Sequence, residues 1–110
     1  MPTPFTHLAI AQQLLHDPAL PAPTRSWIQA YQPAFLLGGI VADQRVEQGA
    51  AREATHFYHY ARPMPDHPWR EMFRQHPSLE QPQSEAHRAF LMGYVAHLAA
   101  DEFWSRYMLK

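Results

Sequence analysis

The strongest constraint on the fold is a stripe of side chains near the end of the sequence. Six residues follow one another at spacings of three and four: Phe90, Tyr94, His97, Asp101, Trp104 and Met108. These spacings place them on one face of an α-helix. Two of the six, His97 and Asp101, are ionisable and interrupt an otherwise apolar face. Because a buried carboxylate must be compensated, this face predicts either a hydrogen-bonded His–Asp pair or a bound divalent cation.

Proline punctuation and helical periodicity predict an all-α fold. Almost all of the eleven prolines lie between helical patterns, and no strand alternation is convincing. We expect a compact helical bundle of about four to five helices with a long C-terminal helix that starts at Ser84. The earlier helices are expected from Thr3 or Thr6 to His16, Thr24 to Gln32, Ala34 to Ala42 and Trp69 to His76. The polar residues 44–52 are expected to form a loop, residues 53–60 are ambiguous, and the apolar run 34–42 also permits a buried strand.

Length and charge narrow the class of protein. A chain of 110 residues predicts a single domain over residues 1–110. The formal net charge of −1, without a cluster of Lys or Arg, argues against a nucleic-acid partner. No run of about 18 apolar residues exists to form a transmembrane segment. The first residues also lack the pattern of a signal peptide, so we expect a cytoplasmic protein.

The sequence contains no cysteine and eight histidines, so any metal must be held by nitrogen and oxygen. Zinc suits such ligands, as do iron, manganese and nickel. His7 lies on the inward stripe of the first helix, and Asp43 directly follows the apolar third helix. His56 lies among small and aromatic neighbours, where His59 competes with it for any role. Each residue alone has an ordinary structural explanation, but together with the pair in the last helix they favour a metal site.

Four segments, in this order, resemble the N-terminal part of the bacterial zinc-dependent phospholipase C family, a helical fold related to the fungal single-strand nucleases. They are Thr-His at 6–7, Leu-Gly-Gly-Ile-Val-Ala-Asp at 37–43, Thr-His-Phe at 55–57, and Phe-Leu-Met-Gly-Tyr-Val-Ala-His-Leu-Ala-Ala-Asp-Glu-Phe at 90–103. The resemblance extends over residues 7–104. Its most specific element is Gly-Tyr-x-x-His-x-x-x-Asp at 93–101.

The resemblance implies a zinc centre that hydrolyses phosphoesters. It implies that Asp43, His56, His97 and Asp101 bind one zinc, and that Asp101 bridges to a second ion to which His7 contributes. In the family these ions bind the phosphodiester and activate water; Asp43 as a general base on that water is an alternative to tight ligation. The expected cofactor is one or two Zn²⁺ ions, with other divalent metals also compatible. The expected partner is a phosphoester small molecule or a phospholipid head group.

The sequence also departs from the family. Ala42 stands where the family usually has proline, and the chain begins Met-Pro where the known enzymes have a metal-binding tryptophan. A further metal site of the family needs two histidines and a glutamate downstream, and no histidine follows Asp101. We therefore expect either a fragment of a longer protein or a reduced member with one or two metals. Two functions stay open: a phospholipase C-like phosphodiesterase, or a non-catalytic helical module that binds metal or self-associates as a homo-oligomer.

The remaining histidines and their aromatic neighbours are less strongly indicated as functional residues. The adjacent pair His16–Asp17 is typical of HD-type phosphohydrolases, but its position before Pro18 indicates a helix cap. Three histidines on polar or proline-broken segments are expected to be solvated: His67, His76 and His87. Three neighbouring side chains are expected to form core or lid packing: Trp69, Met72 and Phe73.

Overall fold

The computed structural model describes residues 4–47, 49, 51–58 and 66–108. All regular structure in these residues is helical, which confirms the all-α prediction, and none of them forms a β-strand. The α-helices are α1 (Pro4–Leu14), α2 (Ala22–Ala30), α3 (Gln32–Gly38), α4 (Val41–Glu47), α5 (Arg52–His56), α6 (Pro68–Gln75) and α7 (Glu85–Phe103). A 3-10 turn, Pro77–Glu80, follows α6, and a π-helical turn, Trp104–Met108, continues the long C-terminal helix α7.

The apolar segment 34–42, expected as one helix, forms parts of two helices, α3 and α4. With this split and the short helix α5, the described residues contain seven α-helices where about four to five were expected. Helix α3 ends at Gly38, and a turn separates it from α4. Part of residues 44–52 is therefore helical rather than a loop. Asp43 lies in the first turn of α4 instead of at a helix end. A carboxylate is favoured there, because the backbone dipole is positive at a helix N-terminus.

The helix starts were predicted with mixed success. Ser84 caps α7 as expected, because its Oγ accepts a hydrogen bond from the backbone N–H of His87 at 3.0 Å. Thr24 does not cap α2, which begins two residues earlier because proline suits the first turn of a helix. Thr6 lies inside α1, and Thr3 is outside the described residues.

Helices α3 and α7 cross with their backbones in close contact. A Cβ atom added to Gly93 would lie 2.0 Å from the carbonyl oxygen of Phe35, and one added to Gly38 would lie 2.0 Å from that of Phe90. Only glycine permits an approach this close. The crossing brings the turn after α3 against His97, whose Nδ1 bonds to the Gly39 carbonyl there.

The apolar core lies between the first three helices and α7. Its buried side chains are Ala11, Leu15, Ile28, Phe35 and Ala89. Helix α7 also buries three ionisable residues near its end: His97, Asp101 and Glu102. Within the described part of the chain, none of the helices combines the length and apolar character that crossing a bilayer requires.

Candidate metal centre

The five residues that the sequence singled out lie together where α1, α4, α5 and α7 meet. They are His7 from α1, Asp43 from α4, His56 from α5, and His97 and Asp101 from α7. Four of these side chains are at most 1% exposed, whereas 12% of the Asp43 side chain is exposed. The helices thus bring together ionisable groups that are far apart in the sequence, and they bury nearly all of them.

Four donor atoms of this cluster lie close together, and five of the distances between them suit ligands that share one ion. The Nε2 atoms of His56 and His97 lie 3.2 Å apart. Asp43 Oδ1 lies 2.9 Å from the first and 3.6 Å from the second of these nitrogens. Asp101 Oδ2 lies 3.5 Å and 3.3 Å from the same two atoms. Ligands at zinc-like bond lengths around one ion are about 3.3 Å apart, and these five distances lie between 2.9 and 3.6 Å.

The carboxylate of Asp101 faces two groups at once. Its Oδ2 belongs to the set above, and its Oδ1 lies 3.0 Å from His7 Nε2. The ring of His7 is stacked on the ring of His97, with 3.6 Å between their centroids. Together His7, His97 and Asp101 form a second group whose donor atoms lie within 4.8 Å of one another. A carboxylate in this position can bridge two ions.

The ring nitrogens on the far side of the two central histidines are also hydrogen bonded. His97 Nδ1 donates to the carbonyl oxygen of Gly39 at 2.8 Å, and His56 Nδ1 lies 2.9 Å from the hydroxyl of Thr55. A carbonyl oxygen only accepts, so His97 carries its proton on Nδ1, and in the neutral ring Nε2 offers a lone pair to the cluster. Metal-binding histidines show this pattern of an outer hydrogen bond and an inner ligand atom.

The charges of the cluster shift the pKa values of its members. Burial by itself raises the pKa of Asp101, but hydrogen bonds from His7 and His97 outweigh it and hold the pKa well below its usual value. Burial likewise lowers the pKa of His97, yet its contact with Asp101 leaves that pKa raised. The pKa of Asp43 is lowered, because the hydrogen bond from His56 and the neighbouring histidines outweigh burial. The cluster therefore favours ionised carboxylates that need positive charge beside them.

The donor set fits zinc. Three imidazoles and two carboxylates supply nitrogen and oxygen ligands, which suit this borderline-soft ion. A divalent cation between the carboxylates would offset the cost of burying their negative charge. Without a cation, protonated histidines must offset that cost. The spacing, the outer hydrogen bonds and the charge of the cluster all agree with a metal site.

The alternative dyad His16–Asp17 does not belong to this cluster. His16 is exposed, and Asp17 Oδ1 accepts a hydrogen bond from the backbone N–H of Ala19 at 2.8 Å. The carboxylate of Asp17 thus stabilises a turn and does not cap the helix as expected, because α1 ends at Leu14. His59, which competed with His56, lies outside the described residues.

Sequence analysis did not identify a second buried acid, Glu102, which directly follows Asp101 in α7. Glu102 accepts hydrogen bonds from His67 Nδ1 at 2.6 Å and from Arg106 Nε at 2.8 Å. His67 is partly exposed as expected, yet it forms this hydrogen bond and also stacks on Trp69. The four-residue spacing of Glu102 and Arg106 could have indicated half of the arrangement. The contact with His67 spans 35 positions and has no local signal.

Comparison with known proteins agrees with the geometry. A family model described as zinc dependent phospholipase C matches residues 6–104, a range that includes every residue of the cluster. A search of the curated proteins and a search of the solved structures each found no match.

Proposed function

From the premise that this chain belongs to the zinc-dependent phospholipase C family, we propose that it is a metal-dependent phosphoesterase. The observation that carries this proposal is the convergence of four donor atoms, with five distances of 2.9–3.6 Å between them. Membership of the family supports the same conclusion independently, because it implies zinc and a phospholipase-like role.

The cluster offers places for one or two ions. Asp43, His56 and His97 would hold the first, together with Asp101 Oδ2, which lies beside both histidines. His7 with Asp101 Oδ1 would contribute to the second. When bound, zinc supplies Lewis acidity, which polarises a phosphoester oxygen and lowers the pKa of a coordinated water. Two ions beside two carboxylates leave a net positive charge, which would attract and orient the phosphate of a substrate.

Asp43 is the member of the cluster through which substrate would gain access. Its side chain is 12% exposed, whereas the other four are closed off from solvent. Its lowered pKa keeps it ionised at neutral pH. An ionised carboxylate at the open side can either stay a tight ligand or accept a proton from the attacking water as a general base.

The substrate class follows from the family. We propose a phosphoester of a small molecule or of a phospholipid head group, because the family acts on phospholipids and a cationic centre suits phosphate. Hydrolysis of a diester and hydrolysis of a monoester are both compatible with the cluster, and a pair of chromogenic substrates distinguishes them.

Metal content and turnover test the proposal. Protein purified without chelator is analysed by mass spectrometry and then assayed with bis(p-nitrophenyl) phosphate and p-nitrophenyl phosphate. Wild type is expected to carry stoichiometric zinc and to release p-nitrophenol, while His97→Ala and Asp101→Ala lose both properties. His16→Ala is the matched control, because this histidine is exposed and outside the cluster. Wild type without stoichiometric metal would contradict the proposal.

The alternative function predicts a different combination of results. A non-catalytic module would bind zinc at His97 and Asp101 yet turn over neither substrate. Light scattering on the same zinc-loaded sample would then show whether the chain self-associates. Zinc binding without turnover would favour this module over the enzyme.

A further inference from the structure

A hydrogen-bonded link runs from α7 to the back of the His56 imidazole. The hydroxyl of Tyr94 donates to the backbone carbonyl of Thr55, and the hydroxyl of Thr55 lies 2.9 Å from His56 Nδ1. Thr55 and His56 are buried, with 8% and 0% of their surface exposed. We propose that Thr55 and Tyr94 are positioning residues that hold His56 Nε2 toward the metal, an inference that rests on the proposed zinc site.

Helix α5 needs such support because it is short. It contains five residues, Arg52–His56, and an isolated helix of this length is unstable in water. The next residue, Phe57, has a φ of 62°, a left-handed conformation that is uncommon for a bulky residue. The helix therefore ends abruptly at the ligand, and contacts from outside α5 must fix the direction of the imidazole.

Tyr94 supplies these contacts on both sides of His56. Its hydroxyl bonds to Thr55 before the ligand, and its ring packs edge-on against Phe57 after it, with 6.5 Å between centroids. Tyr94 also precedes His97 by three residues on α7. The helix that carries two of the proposed ligands thus sets the position of a third ligand from α5.

The hydroxyl of Thr55 can form hydrogen bonds that a carbonyl oxygen cannot. The Gly39 carbonyl beside His97 can only accept, whereas a hydroxyl both donates and accepts. Without a cation, His56 Nε2–H can donate to Asp43 Oδ1 at 2.9 Å while Nδ1 accepts from Thr55. With a cation on Nε2, the proton sits on Nδ1 and is donated to Thr55. The imidazole keeps an outer hydrogen bond in both states, so its orientation does not change when metal binds.

Zinc affinity tests the role of these two residues. The affinity of each variant is measured by competition with a chromophoric chelator, and the geometry is monitored by the visible spectrum of the Co²⁺-loaded protein. Thr55→Val is expected to weaken zinc binding about 10- to 100-fold and to alter the Co²⁺ spectrum. Thr55→Ser, which keeps the hydroxyl, restores both, and Tyr94→Phe weakens binding in the same direction. Thr24→Val and Tyr31→Phe are the matched controls on α2 and the turn after it, and both keep wild-type affinity.

A measurement on the wild-type protein guards against variants that fail to fold. Long-range ¹H–¹⁵N spectra of the zinc-loaded chain should show His56 protonated at Nδ1 and bound through Nε2. Ligation through Nδ1, or wild-type affinity in Thr55→Val, overturns the positioning role and leaves the phosphoesterase proposal intact. Wild type that binds no zinc overturns both.

Discussion

Asp101 links the two halves of the cluster, because each of its oxygens faces a different histidine group. Asn is nearly the same size but has no charge and only one oxygen. We therefore expect Asp101→Asn to weaken zinc binding at least about 100-fold (a loss of about 2.7 kcal/mol) and to abolish the second ion. Equilibrium dialysis against buffered zinc measures this loss. Asp17→Asn, which changes a turn carboxylate, should bind zinc like wild type; equal binding by both variants would remove Asp101 from the site.

The charges of the metal-free cluster make its stability depend on pH. The pKa of Asp101 is lowered in the folded state, so its contribution is present above the unfolded value of 3.8 and is lost as pH falls below it. The pKa of His97 is raised, so its contribution is present below 6.5 and is lost as pH rises through the folded pKa. We expect the chelator-treated protein to be most stable between roughly pH 4 and 6.5.

Urea unfolding of the chelator-treated protein at a series of pH values checks this profile. Zinc should remove the alkaline decline, because metal binding favours the deprotonated imidazole. A metal-free stability that keeps rising from pH 6.5 to 8 would show that His97 is not held as an imidazolium by Asp101.

Individual ligands could be predicted only where one helix relates them. His97 and Asp101 share a helix face, so their spacing alone brings them together. His7, Asp43 and His56 come from other helices, and a period of 3.6 carries no information about contacts between elements. The resemblance to a family provided that information before the structure did. Contacts outside the family pattern, such as the one between Glu102 and His67, could not be predicted.

At the level of helices, glycines determine how closely the site can be assembled. Gly93 permits the backbones of α3 and α7 to touch, and this contact presents the Gly39 carbonyl to His97. A methyl group at Gly93 would collide with the carbonyl oxygen of Phe35 at 2.0 Å. Since backbone atoms cannot move aside cheaply, Gly93→Ala should destabilise the metal-free protein by about 1–3 kcal/mol despite the higher helix propensity of alanine.

The same substitution should also weaken zinc binding, because the outer hydrogen bond of His97 depends on the crossing. Chemical denaturation measures the stability, and chelator competition measures the affinity. Ala99→Ser on an exposed face of the same helix is the control and should change neither by a large amount. Wild-type stability and affinity in Gly93→Ala would mean that the two helices are further apart than described.

The N-cap of α7 should affect stability alone. Ser84 Oγ accepts from the backbone N–H of His87 at the end of the helix far from the cluster. Ser84→Ala should lower the free energy of unfolding by about 1 kcal/mol, and Ser84→Asp should retain it. Zinc affinity should stay at the wild-type value in both variants. A parallel loss of affinity would show that the helix start and the site are coupled.

Element boundaries were hardest to predict where local signals conflict. The pair Gly38–Gly39 lies within a strongly apolar run, which predicts one helix over 34–42 and permits a buried strand as the alternative. The break follows Gly38, the residue at which α3 approaches the Phe90 backbone, a tertiary contact that local sequence signals do not encode. The consequence for the site is large: the break starts a new helix, and Asp43 falls in its first turn. By contrast, Ser84 and the long apolar period after it give consistent signals, and α7 begins where they predict.

For the molecule as a whole, the cluster joins residues that lie far apart in the sequence. His7 and Asp101 are 94 positions apart, and α4 and α5 contribute ligand candidates between them. An ion held by such distant residues binds the folded chain far better than the unfolded chain. Bound zinc should therefore stabilise the whole fold rather than a single helix, and unfolding should stay cooperative when it binds.

This linkage makes the thermal midpoint depend on free zinc in a defined way. Above the dissociation constant, each tenfold increase in free zinc should add about 1.4 kcal/mol to the free energy of unfolding, which is roughly 6 °C in Tm for a domain of this size. Calorimetry at several buffered zinc concentrations measures the slope. Magnesium should have no comparable effect, because it prefers oxygen ligands and retains its waters. Asp101→Asn should move the onset of this response to a free zinc concentration at least about 100-fold higher.

The dependence of stability on free zinc also shows whether the folded chain binds one ion or two. If two ions bind the folded chain and both dissociate on unfolding, each tenfold increase in zinc should contribute about 2.8 kcal/mol once both sites are saturated. His7→Ala should then return the slope to the single-ion value, because His7 lies beside Asp101 Oδ1 and is not among the four proposed ligands of the first ion. A wild-type slope that His7→Ala leaves unchanged would assign His7 a structural role beside a single zinc held by the other four residues.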